Sequence, residues 1–102
     1  MTIKLVDRGT EGEVLLEGTM DTLSAPETEE ILDQMTQRYD RLIVNMIGVD
    51  YVFPPGLRLL KKAHLAMLRK GGELIVAYAS KEIMEVFELA GFSGLLHFEH
   101  EA

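Results

Sequence analysis

Few side chains in this sequence stand where chemistry could be done, and the most suggestive is Asp21 in "GTMDTLS". A lone carboxylate in a loop before a helix can serve as a ligand, and it serves about as often as a turn or capping residue. Histidines are the other candidates. His64 falls mid-helix on or near an apolar face, the place of a core or boundary histidine. His97 and His100, spaced i, i+3 in "HFEH", would point to opposite faces of a strand and so could not share a metal ion. Nucleophilic catalysis needs an activated side chain beside a base, and no such pair is legible. The remaining feature is the junction "VDYVFPPGLRLLKK", Val49 to Lys62, where a β-prone run stops at Pro54, Pro55 and Gly56. A helix start gathers unpaired N–H groups and positive partial charge, and could hold a phosphate. Here two prolines remove two donors, and no Ser, Thr, Tyr or Asp stands between Val52 and Gly56. One proline at the first helical position starts a helix well. A second is harder to account for, because the residue before a proline is pushed out of helical geometry. The pattern points to binding and away from catalysis.

The elements that must position these residues follow from periodicity. "TIKLV" alternates Ile3 and Leu5, and the turn "DRGTEGE" leads to "VLLEG", which predicts an antiparallel pair. Ser24 is a good N-cap with Glu27 three residues on, a capping box, and Pro26 sits harmlessly in the first turn. Ile31, Leu32, Met35 and Tyr39 recur at helical spacing, which predicts a helix from Ala25 to about Tyr39. Leu42 to Met46 reads as a buried parallel strand. Leu57 to Lys70 is the second long helix, with Leu57, Leu60, His64, Met67 and Leu68 along one side and Gly71-Gly72 as its stop. "ELIVAYA" is another buried strand. Ser80 caps a third helix with Ile83, Phe87 and Ala90 inward, and Leu95 to His100 is a last strand. The order ββαβαβαβ means an α/β fold with parallel strands joined by right-handed crossovers. Its functional edge lies outside the carboxyl ends of the strands, where "GTMDTLS" and "GVDYVFPPG" fall.

Composition sets the outer bounds. The chain has 102 residues, 47% apolar and 26% charged, the make-up of one ordinary soluble globular domain over residues 1–102. Without cysteine there are no disulfides or thiolate metal sites. No signal peptide opens the chain and no apolar run approaches the ~20 residues of a membrane helix, so a cytoplasmic protein without membrane insertion is expected. A net charge of -7 argues against a nucleic-acid partner. From Pro54 to Gly72, however, Arg58, Lys61, Lys62, Arg69 and Lys70 stand without an acid, so that segment carries +5 and the remainder -12. Arg69 and Lys70 suit the helix dipole; Arg58, Lys61 and Lys62 read as a solvated face or the flank of a binding surface. No cofactor is implied.

Three stretches in series resemble the STAS domain family of anti-sigma factor antagonists. "LEGTMDTLSAPETEEIL" is similar to the family's Gly-x-(Leu/Met)-Asp-x-x-(Ser/Thr)-Ala-Pro approach to its first helix. "LIVNMIGVDYVFPPGLRLL" and "GGELIVAYASKEIMEVFELAGFSGLLHFEHE" resemble the segments that follow, so the likeness spans nearly the whole chain. It implies a STAS-type (βα) superhelix, with a mixed, mostly parallel sheet of about five strands and helices mainly on one face. It also implies a bacterial signalling module for protein–protein interaction in transcription regulation. In that family a Ser at the start of the second long helix is phosphorylated by the partner kinase, which is also the anti-sigma factor; the added charge breaks the contact. Here Pro54 stands at that Ser and Pro55 at the next position, Gly56 and Leu57 match, and Asp21 matches the neighbouring loop aspartate.

The resemblance therefore implies a non-catalytic, constitutive binder of an anti-sigma factor or related serine-kinase-type protein. The expected docking ridge is Val52, Phe53, Pro54 and Pro55 with Gly56, flanked by Met20, Asp21 and Thr22 on one side and Arg58, Lys61 and Lys62 on the other. Phe53 is either an interface anchor or a plug folded into the core. Alternative roles are a scaffold subunit of a signalling assembly or of a lipid-transport ABC system, where a homo-oligomer would be natural, or a ligand-binding module around Asp21.

Overall fold

The protein is described by a computed structural model over residues 1–91 and 97–99. The elements run β1 (Thr2–Arg8), β2 (Glu11–Met20), α1 (Ala25–Arg38), β3 (Arg41–Val52), α2 (Pro54–Arg69), β4 (Glu73–Ala77), α3 (Lys81–Leu89) and β5 (His97–Glu99). They form one sheet in the order β1-β2-β3-β4-β5, with β1 antiparallel to β2 and every later pair parallel. Each parallel strand is thus added on the same side of the last. Right-handed crossovers in such a series place every connecting helix on one face. Burial agrees: Val14, Leu16, Leu42, Val44, Leu74 and Val76 share a core with Leu32, Leu60, Met67, Ile83 and Phe87, which come from all three helices. Of the last predicted strand, residues 95, 96 and 100 lie outside the described residues.

The opposite sheet face is a lattice of cross-strand ion pairs. Arg8 reaches Glu13 at 2.7 Å, and Arg41 bridges Glu11 at 2.8 Å and Glu73 at 3.1 Å. Asn45 Nδ2 donates to Glu13 at 2.9 Å. Burial pushes the Glu13 carboxyl up, but the Asn45 bond and the Arg8 charge outweigh it and hold the group below its ordinary value. Exposed pairs contribute little individually. Their use here is to occupy, from within the chain, charges beside the half-buried Leu15 and Ile43.

Several local expectations are corrected. Leu68 is exposed, as is Ala90; the buried side of α2 is Leu57, Leu60, Ala63 and Met67, and that of α3 is Ile83 and Phe87. His64, by contrast, is half-buried, the boundary position expected of it. Thr28 and Thr36 join the buried stripe of α1 because their hydroxyls donate to the Ser24 and Asp33 carbonyls, at 2.9 and 3.0 Å. Lys70 does not complement its own helix. Its ammonium donates to the Thr36 and Tyr39 carbonyls at 3.0 and 2.9 Å, so it closes the C-terminal end of α1 instead.

Candidate functional site

The two loops at the carboxyl edge of the sheet begin side by side because β2 and β3 run further than their sequence suggests. Gly18, Thr19 and Met20 stay in the ladder opposite Val49, Tyr51 and Val52, with register shifts between Leu15 and Glu17 and between Gly18 and Thr19. Such bulges take up extra residues and let pairing continue past positions that read as loop. Thr19 Oγ1 donates to Asp50 Oδ1 at 2.7 Å across this extension. At its end the Phe53 N–H donates to the Met20 carbonyl at 3.0 Å. That bond ties the first residue before α2 to the last residue before Asp21.

Asp21 is held as the cap of a turn that leads into α1. Its Oδ1 accepts from the Leu23 and Ser24 N–H groups, both at 3.0 Å, while the Asp21 N–H donates to Ser24 Oγ at 3.0 Å. This reciprocal pair is a capping box set one turn ahead of the expected one. Ser24 itself has helical dihedrals and makes no side-chain cap bond to the helix it precedes. Aspartate wins because its carboxylate takes two N–H groups at once. The Ser24 N–H bond, outweighing the effect of burial with the help of the Leu23 bond, holds the Asp21 carboxyl below its ordinary value. A carboxyl lowered on folding adds stability above its unfolded pKa and loses it as pH falls through the folded one. Asp21→Ala is therefore expected to lower Tm by several degrees near neutral pH, with the difference from wild type shrinking below roughly pH 4. Thermal melts across pH check this.

Phe53 is extended (φ -73°, ψ 152°), as a residue before proline must be, and Pro54 and Pro55 fill the first two helical positions. The second proline is tolerated because neither position would have donated within the helix. Gly56, next in line, already gives its N–H to the Phe53 carbonyl at 2.9 Å. The first three helical positions consequently offer no free backbone donor, and this helix start cannot cradle an anion in the ordinary way. Gly56 also has a steric task. A Cβ there would lie 2.7 Å from Met20 Sδ and 3.0 Å from the Phe53 ring, so only glycine lets the ring settle against the helix.

The expected ridge is thus partly reordered. Met20 and Val52 are fully buried and Gly56 is buried, so they support the site from below and do not present side chains to a partner. Phe53 is half-buried and packs against the core, between the two alternatives posed for it. Thr22, Arg58 and Lys61 are exposed. Lys62 is not available as a flank: it bridges Glu29 at 3.1 Å and Asp33 at 3.4 Å on α1, and the Glu29 hydrogen bond leads in raising its pKa. Two exposed apolar side chains on the same edge escaped the reading, Leu23 at 90% and Tyr51 at 51% exposure. The detectable signal for Leu23 was its place inside a capping turn, where side chains point away from the helix. No group of His, Cys, Asp and Glu among the described residues could hold a metal ion. The edge therefore combines apolar side chains, two exposed cations and two hydrogen-bonded carboxylates, Asp21 in its turn and Asp50 on the Thr19 hydroxyl.

The STAS domain model matches residues 4–101. The chain is similar to the anti-sigma-B factor antagonist of Staphylococcus aureus, 34% identical over 86 residues that cover 83% of this chain and 80% of that one. It is 30% identical, with the same coverage, to its namesake in Staphylococcus epidermidis. Among solved structures, an anti-sigma factor antagonist from Mycobacterium paratuberculosis superposes with a TM-score of 0.85 at 17% identity, covering 95% of this chain and 83% of that one. Phosphorylated SpoIIAA from Bacillus gives 0.79 at 13%, covering 99% and 92%. At those identities the structural matches establish the fold.

Proposed function

Because this chain belongs to the STAS domain family, we propose that it is a non-catalytic regulator of the anti-sigma factor antagonist kind that engages its partner without a phosphorylation switch. The partner is an anti-sigma factor or a related serine-kinase-type protein, met in the cytoplasm. One observation carries the reading: the start of α2, tied by the Phe53–Met20 bond to the Asp21 turn, has neither a hydroxyl nor a free N–H in its first three positions. A phosphoryl group would find no acceptor and no cradle there. What the edge offers in their place is a constant surface, with Leu23, Tyr51 and the uncovered part of Phe53 beside Thr22, Arg58 and Lys61. Aromatic anchors fixed by packing are the residues most able to dominate such contacts.

The test is affinity capture from the native cell with mass spectrometry, comparing wild type with Phe53→Ser. A serine-kinase-type ATPase should be retained by wild type and held at least ~30-fold more weakly by the variant, the effect of losing a hot-spot side chain. Equal retention by a variant whose circular dichroism is native would sink the reading.

A further inference from the structure

Lys62 and Lys70 are held by α1, but other charges of α2 and α3 find no partner among the described residues. The outer side of α2 exposes Arg58, Lys61, Leu65, Leu68 and Arg69, and no described residue forms an ion pair with any of these three cations. Leu65 and Leu68 are 38% and 55% exposed. The outer side of α3 exposes Glu82, Glu85, Glu88 and Leu89, again without an ion pair among the described residues, and Leu89 is 90% exposed. The two helices carry the same spacing with opposite charge. Arg58, Lys61 and Leu65 stand at i, i+3 and i+7 of α2; Glu82, Glu85 and Leu89 stand at i, i+3 and i+7 of α3. Residues so spaced share one helix face.

We propose that these two helices are the dimer interface of this chain, with α2 of each copy laid on α3 of the other. Both helices precede a parallel strand and lie on one sheet face, so they run in the same direction. A two-fold axis parallel to them then stacks α2 of one copy on α3 of its partner in parallel, and α3 on α2 at the same time. Arg58 meets Glu82, Lys61 meets Glu85, and Leu65 and Leu68 cover Leu89. The contact is self-complementary and closes at two copies. Charge selects it from other packings, because α2 on α2 or α3 on α3 would bring like charges together. The interface is small and rimmed by charge, so association is reversible and weakens with salt. It does not rest on the partner assignment above, although it would cover the same Arg58 and Lys61 flank.

Sedimentation velocity at roughly 10–500 µM, a range suited to an interface of this size, tests the arrangement. Wild type should pass from monomer to dimer over that range in low salt and shift back toward monomer in high salt. Arg58→Glu/Lys61→Glu and Glu82→Lys/Glu85→Lys should each stay monomeric, and an equimolar mixture of the two should dimerise, since one contact is then wild type and the other is restored with its charges exchanged. All four positions are exposed, and native circular dichroism confirms that the variants fold. A wild type that remains monomeric throughout, a dimer that survives either reversal, a mixture that stays monomeric, or a polymer that lengthens with concentration overturns the proposal. The Glu82 and Glu85 variant lies off the partner edge, so failure here and failure of partner capture are separate results.

Discussion

On the proposed function, Pro54→Ser is expected to accept a phosphoryl group from the kinase-type partner and ATP, and wild type to accept none. The substitution supplies a hydroxyl at the first position of α2, next to the turn that holds Asp21. It also supplies a backbone N–H where proline had none. Pro55 would still withhold its donor and Gly56 would still be bonded to Phe53, so the new phosphoserine would be poorly cradled. Pro54→Ser/Pro55→Ser should hold it better. In either variant a group of roughly -1.5 to -2 charge would be added to the edge proposed to meet the partner. An uncompensated charge taken into a protein contact costs several kcal/mol, so the modified protein should bind its partner about 100-fold more weakly or worse. Intact mass and fragment spectra after incubation with the captured kinase decide the matter. Phosphate on Thr19, Thr22 or Ser24 of the wild-type chain would refute a switchless regulator.

Phe87→Ala should produce the largest loss of stability of any single truncation considered. Phe87 is completely buried and, with Ile83, is one of the two buried side chains by which α3 is fastened to the sheet. A helix of nine residues has no standing of its own in water and exists only by such packing. Removing the ring forfeits its transfer free energy and leaves a cavity, together worth about 3–5 kcal/mol, against a total of roughly 5–15 kcal/mol for a domain of this size. Urea unfolding monitored by circular dichroism would show a midpoint displaced accordingly. Leu89→Ala, two residues on but exposed, should stay within about 0.5 kcal/mol in dilute protein. A Phe87→Ala cost below ~1 kcal/mol would mean that α3 is not held as described.

Architecture was written in the sequence wherever a pattern repeats within one element. The 3.6-residue spacing of Leu32, Met35 and Tyr39, the unbroken apolar run of β4 and the glycines closing α2 each state their element locally, and alternating strands and helices then leave few topologies open. The same locality makes Pro54 legible at once, since a proline has neither hydroxyl nor N–H in any environment. What could not be read was anything settled by two segments meeting. The extra length of β2 and β3 depends on bulged pairing between residues about thirty positions apart. Asp21 displaces Ser24 as the cap because the turn is closed from both ends. Met20 and Val52 sink while Leu23 and Tyr51 remain outside, and Lys62 and Lys70 spend their charge on α1. Residue types determine which contacts are chemically possible. Only the packed chain decides which of the competing partners each group meets, because that choice turns on distances between segments that the order of residues does not contain.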